Sequence, residues 1–187
     1  MANTPDVAAH GSTGHPSISI REAVLDDAAE LAAAHVASWQ AAYRGLLPQA
    51  LLDGLSAERR TASWVRALEE AGCVTHIAVE PNARVAGFIH VGASRDADAG
   101  AKVGELISIY LRPELWNRGV GHQLHAAGMA SLAARFEQAT LWVLEGNARA
   151  RAFYERQGWQ PDGAVKRDTL ADAEVTEVRY RRSLIDR

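Results

Sequence analysis

Between Gly104 and Gly121 the chain reads G-E-L-I-S-I-Y-L-R-P-E-L-W-N-R-G-V-G, and no other stretch restricts the fold as tightly. Leu106, Ile107, Ile109, Tyr110 and Leu111 form a short apolar run with β-branched and aromatic members, which predicts a strand. Pro113 closes it, because proline has no N–H for a sheet ladder. Arg118-Gly119-Val120-Gly121 then leads into H-Q-L-H-A-A-G-M-A-S-L-A-A-R, where Leu124, Ala127, Met129 and Leu132 recur near one face of a helix. The order is therefore strand, glycine turn, helix N-terminus. N–H groups in a first helical turn lack partners and sit at the positive end of the peptide dipoles. Glycines let a phosphate approach that backbone closely, so the turn suits a pyrophosphate. An ordinary tight turn has the same residues, and this motif alone leaves both readings open. No G-x-x-x-x-G-K-[ST] is present, and the third glycine of a dinucleotide-binding fingerprint is missing.

The rest of the chain fits one domain around that unit. Its 187 residues suffice for one buried core, and Lys+Arg 20 against Asp+Glu 23 gives a net charge of −3, without the basic stripe of a nucleic-acid binder. No apolar run reaches the roughly 20 residues of a membrane helix. The lone Cys73 rules out an intramolecular disulfide framework, fits a reducing cytoplasm, and reads as a packed thiol. Residues 1–16 are polar and punctuated by Gly and Pro, which predicts a disordered leader before a single domain over 17–187. Ile18–Arg21 alternates as a strand, Asp26 or Asp27 caps a helix, and Gly45 and Pro48 break it. A second helix over 48–55 and a third after Ser56 follow, with Arg59 and Arg60 on a solvated face. Segments 74–79 and 84–91 read as a hairpin, 94–102 as a loop whose aspartates serve turns, and 140–144 as a buried strand. Asn147 starts a helix that Gly158 ends, and 159–161 and 175–181 read as closing strands. The result is an α/β chain with a mixed sheet and helices on its faces.

Two stretches together, E-L-I-S-I-Y-L-R-P-E-L-W-N-R-G-V-G and N-A-R-A-R-A-F-Y-E-R-Q-G-W, resemble the acetyl-CoA-binding strand, loop and helix and the later helix of the GNAT N-acetyltransferases. The resemblance spans Ile18 to Leu184, and S-W-Q-A-A-Y-R-G-L-L-P is similar to a segment common in bacterial members. It implies an acyl-CoA N-acyltransferase fold whose central mixed sheet splays between its fourth and fifth strands. Backbone at Ile109, Tyr110 and Leu111 would then hold the pantetheine arm, and N–H groups of Arg118, Gly119, Val120, Gly121, His122 and Gln123 would take the pyrophosphate. Asn147 would contact the cofactor arm. The family loop usually starts with Gln or Arg, where this chain has Trp116; Arg118 remains as a charged donor.

The reaction so implied moves an acetyl group from acetyl-CoA to a primary amine of a small molecule or peptide by direct attack. An alkyl ammonium has a pKa of about 10.4 and must lose a proton first. Glu105, heading the central strand, is the expected base, acting through water, and its alternative is a carboxylate ending a strand in solvent. Ile109 N–H is placed to meet the developing oxyanion. Tyr154 is the expected acid for the leaving thiolate, against plain core packing, and Asn147 is also a natural N-cap. Trp39 and Tyr43, four apart on a helix, wall either the core edge or an acceptor pocket. The histidines share no metal spacing, and no metal is expected. A non-catalytic acyl-CoA-binding module, a protein N-terminal acetyltransferase and an unrelated nucleotide-binding α/β protein are the alternatives. The residues leave a homodimer open.

Overall fold

The computed structural model describes residues 18–170 and 173–185, so the leader expected over 1–16 lies outside the described residues. In chain order the elements are β1 (Ser19–Glu22), α1 (Ala28–Ala42), α2 (Gln49–Asp53), α3 (Ala57–Glu69), β2 (Val74–Val79), β3 (Val85–Ala93), β4 (Val103–Leu111), α4 (Val120–Ala133), β5 (Gln138–Leu144), α5 (Ala148–Arg156), β6 (Gln160–Leu170) and β7 (Ala173–Ser183). This succession is the one the sequence predicts. The strands form one seven-stranded sheet in the order β1-β2-β3-β4-β5-β7-β6. Neighbours run antiparallel except β4 and β5, which are parallel.

Helices cover both faces. On one side α1 and α3 bury Leu31, Ala34 and Trp64 against Ile77 and Phe88. On the other, Leu124 and Leu132 of α4 and Tyr154 of α5 pack with Ile89, Leu106 and Leu141. Burial on both faces explains why β3 is apolar almost without alternation, with Val85 to Gly92 all buried. Ser56 caps α3 by accepting from Arg59 N at 3.3 Å. Asp27 does not cap α1 in that way. Its carboxylate instead accepts from Val24 N at 2.8 Å and from the Arg21 guanidinium at 2.7 Å, fixing the turn between β1 and α1.

The parallel seam is short. Only Val103, Gly104 and Glu105 of β4 pair with Gln138, Ala139 and Thr140 of β5. Immediately afterwards the β3–β4 register steps from Val91↔Leu106 to His90↔Ser108, leaving Ile107 as an extra residue. A bulge of this kind bends its strand and raises its twist, and here it accompanies the divergence of β4 from β5. Arg112 N donates to Ala86 O at 2.8 Å. By antiparallel alternation, Tyr110–Phe88 is then a bonded pair, whereas Ile109–Ile89 and Leu111–Gly87 are not. The N–H and C=O groups of Ile109 and Leu111 accordingly face the gap, while those of Tyr110 face β3.

The closing hairpin is longer than the sequence suggests. The first closing strand is expected over 159–161, yet β6 continues to Leu170. A bulge absorbs the irregularity, since the register passes from Pro161↔Tyr180 to Val165↔Val178 with Gly163 at φ +87°. Among the described residues no helix is long and apolar enough to cross a membrane.

Candidate active-site cleft

The gap between β4 and β5 opens into a cleft of ≈1060 Å³, large enough for a sizeable cofactor with its acceptor. Its walls come from α1 and the turn after it, β4, the turn before α4, β5, α5 and β7. At its middle three tyrosines converge. The Tyr43 and Tyr110 hydroxyls lie 2.7 Å apart, and burial holds both pKa values above the ordinary phenol range, Tyr110 far above. Tyr154 lines the cleft from α5, buried except for 8% of its surface. Burial, reinforced by Tyr43, raises its pKa well above 10, so its hydroxyl keeps its proton at neutral pH.

On the β4 side the free groups are the N–H and C=O of Ile109 and the N–H of Leu111. Leu111 O accepts from Trp116 Nε1 at 2.8 Å, and Tyr110 offers the gap no backbone group because its own pair with Phe88 uses them. Of the three residues expected to hold a pantetheine arm, Tyr110 thus brings only its side chain to the cleft.

The turn before α4 presents a run of backbone N–H groups. Asn117 has φ +60° and Gly119 φ +81°, both left-handed, and a Cβ on Gly119 would meet nothing within 4 Å, so backbone conformation rather than space asks for glycine. Such alternation turns successive N–H groups toward one concavity. Among the described residues, the N–H groups of Asn117, Arg118, Gly119, Val120 and Gly121 have no acceptor. Those of His122 and Gln123 both donate to Gly119 O, at 3.1 and 3.2 Å, and are therefore not free for phosphate as the sequence reading expects. His122 Nδ1 meets Gln157 Oε1 at 2.9 Å, and Val120 packs in the core.

The charged donor sits elsewhere than expected. Arg118 is not among the lining residues, whereas Arg149 is, and its guanidinium stacks 3.2 Å from the Trp116 ring centroid. The tryptophan that replaces the usual polar residue thus serves as a platform for a cation from α5. Asn147 lines the cleft as well. Its Oδ1 accepts from Ala150 N at 3.1 Å, capping α5, and its amide N–H groups are left to donate.

Glu105 is the main departure. It is 2% exposed and is not among the lining residues. Oε2 accepts from Arg95 N at 3.0 Å and Arg95 Nε at 3.1 Å, and Oε1 accepts from Arg95 Nη2 at 2.5 Å. A carboxylate engaged on both oxygens and withdrawn from the cleft is placed to anchor the 94–102 loop, not to take a proton from a substrate. That loop also differs from the turn chemistry expected of it. Asp96 and Asp98 pair with Arg179 of β7 at 3.1 and 2.8 Å, and Asp96 accepts from Trp142 Nε1 at 2.8 Å.

At the acceptor end Trp39 and Tyr43 meet edge to face, their centroids 4.9 Å apart, and both line the cleft. His35, Ser38 and Arg60 line it too, although helical spacing gave no reason to single them out and Arg60 was expected on a solvated face. His35 stacks on Tyr110 at 5.2 Å; burial, with help from Arg60, lowers its pKa to about 3, so it is neutral. Away from the cleft the fold gathers Glu70, Cys73 and His90, with one ligand atom of each within 4.8 Å of the others, a grouping that sequence spacing could not reveal. Cys73 is half-buried, and its thiol pKa is raised by burial and by Glu70.

A sheet opened between parallel strands over a glycine turn at a helix N-terminus is the architecture of an acyltransferase of the GNAT type. The chain belongs to that family: the family model for the acetyltransferase (GNAT) family matches residues 33–159. The chain is 32% identical over 132 residues to YuaI, an uncharacterized N-acetyltransferase of Bacillus subtilis, covering 70% of this chain and 73% of that one. It is also 32% identical over 103 residues to the mycothiol acetyltransferase of Salinispora arenicola, of whose length those residues span 32%. PaiA N-acetyltransferase from Thermoplasma acidophilum, solved with coenzyme A, superposes with a TM-score of 0.69 at 20% identity, over 89% of this chain and 99% of its own. YncA from Salmonella typhimurium, solved with acetyl-CoA, gives 0.69 at 18% identity over 91% and 96%. Those two likenesses concern the fold.

Proposed function

We propose that the protein transfers the acetyl group of acetyl-CoA to a primary amine by direct attack within this cleft. The observation that carries the reading is the alignment, along one gap, of backbone groups of β4, the Tyr154 hydroxyl, and five N–H groups at the entry to α4 that have no acceptor among the described residues. The residues suit the donor. Ile109 and Leu111 offer a strand edge to an amide-bearing arm, Asn147 adds side-chain donors, and the turn with Arg149 answers a pyrophosphate.

Acetyl-CoA supplies the activated thioester, and the protein supplies position and proton control. Ile109 N–H points where a carbonyl oxygen gains charge. Tyr154, held protonated by burial, donates to the departing sulfur. With Glu105 engaged by Arg95, the amine proton leaves through water toward Glu177, one of two carboxylates lining the acceptor end, the other being Asp168. Glu177 is close enough that its charge contributes to the raised Tyr43 pKa, after burial.

Calorimetric titration with acetyl-CoA, with ATP and NAD as controls, followed by an amine panel read by thiol release, tests the proposal. Selective binding and acetylation are expected; preference for ATP or NAD would overturn it. A second reading, a non-catalytic acyl-CoA-binding module, draws on the locked state of Glu105, and it predicts binding without thiol release from any amine.

A further inference from the structure

The acceptor end contains polar groups that nothing in the protein satisfies. His35 and Ser38 lie on the same face of α1 as Trp39, three and four residues apart, where α1 packs on α3. Both ring nitrogens of His35 and the hydroxyl of Ser38 are buried without a hydrogen-bond partner. Arg60 faces them from α3, its guanidinium 5.5 Å from the Trp39 centroid. Among the described residues that guanidinium makes no ion pair and no hydrogen bond, whereas the other arginine at this end, Arg95, is committed to Glu105. A buried polar group without a partner is costly, and native proteins seldom leave three together without a use. His35, Ser38, Trp39 and Arg60 all line the cleft.

The missing partner has a definite chemistry. A guanidinium fork, a hydroxyl and a neutral imidazole N–H are all donors to an oxygen acid. A cationic group would find the Trp39 face already occupied by Arg60 and would be repelled. On a different wall, β7 brings Glu177, paired with Lys166 at 2.9 Å, and the β6 end brings Asp168, so negative charge stands apart from Arg60. We propose that His35, Ser38 and Arg60 form a carboxylate subsite, and that the acceptor is an amino-acid-like molecule with a carboxylate and a primary amine. The acid binds between α1 and α3, and the amine points past Tyr43 toward Tyr154. This inference rests on the acetyltransferase reading above.

The test compares amines that differ only in the acid: phenylalanine with phenethylamine, leucine with isopentylamine, histidine with histamine, lysine with cadaverine. Thiol release from acetyl-CoA is followed for the full chain and for R60M and R60K. In the unsubstituted protein kcat/KM for the acid-bearing member should exceed that for its partner by about tenfold or more, the scale of a charged hydrogen bond. R60M should collapse that ratio toward one through KM, and R60K should restore part of it. Circular dichroism and acetyl-CoA titration of each variant show whether fold and donor site persist. Preference for the decarboxylated amines, acetylation of neither member, or an unchanged ratio in R60M would overturn the subsite while acetyl-CoA binding stands. Failure of the unsubstituted protein to bind acetyl-CoA would remove the reading beneath it.

Discussion

Tyr154 and Glu105 show how burial assigns different work to residues that the sequence offers for the same reaction. Among the described residues the Tyr154 hydroxyl has no hydrogen-bond partner, and the side chain lines the cleft, so that hydroxyl remains available to a ligand. Tyr154→Phe should lower kcat at least tenfold while leaving the calorimetric affinity for acetyl-CoA within about twofold, since general acid catalysis is worth about 10²–10⁴. Glu105→Gln should act on stability instead. It replaces a charged acceptor of Arg95 by a neutral one inside the sheet, at a cost of about 1–3 kcal/mol, kept modest because the Arg95 side chain is 66% exposed. A thermal melt lowered by several degrees with kcat retained is the expected result. Glu177→Gln should show the reverse, a lower kcat with little change in melting.

At the scale of elements, the strand–turn–helix unit was legible because its signals are local: β-branched alternation, Pro113, and glycines at a helix start. The splay was legible only through resemblance. The Ile107 bulge depends on pairing with β3, and nothing within L-I-S-I-Y marks which residue is left over. Arg60 and Arg149 were missed for a related reason, since an arginine on a helix reads as solvated until the neighbouring element is known. The β6 extension past Pro161 depends on pairing with β7 across a bulge, which no local signal in 162–170 marks. Close packing of α4 on the sheet yields a prediction here. A Cβ on Gly128 would lie 2.4 Å from Ile89 Cδ1 and 3.0 Å from its Cγ1, with Ile89 fully buried. Gly128→Ala gains just under about 1 kcal/mol of helix propensity but overpacks the core by about 1–3 kcal/mol. Chemical denaturation should show net destabilisation, and adding Ile89→Val should recover part of it.

For the whole molecule, two buried imidazoles make large contributions to the response to acid. His125 accepts from Trp159 Nε1 at 2.9 Å, and burial lowers its pKa to about 4; His35 lies at about 3 for the same reason. Both are depressed below the unfolded value of about 6.5, so the unfolded chain binds more protons at mildly acid pH. Their contribution is complete above pH 6.5 and is lost as pH falls toward 4 and then 3, about 3 kcal/mol for His125 and about 5 kcal/mol for His35. Unfolding free energy should therefore decline below pH 6.5. His125→Gln, which retains an acceptor for Trp159, should flatten the slope by about one proton. The short β4–β5 seam has a mechanical consequence. Three paired positions join a four-stranded leaf, β1 to β4, to a three-stranded leaf, β5 to β6, while β3 and β4 share seven. The two leaves meet at a hinge, and a ligand that pairs with Ile109 and Leu111 while contacting α5 acts as a splint across it. Amide hydrogen exchange should slow at those β4 positions on acetyl-CoA binding, and also at Leu144 and along β7, on the leaf the splint secures.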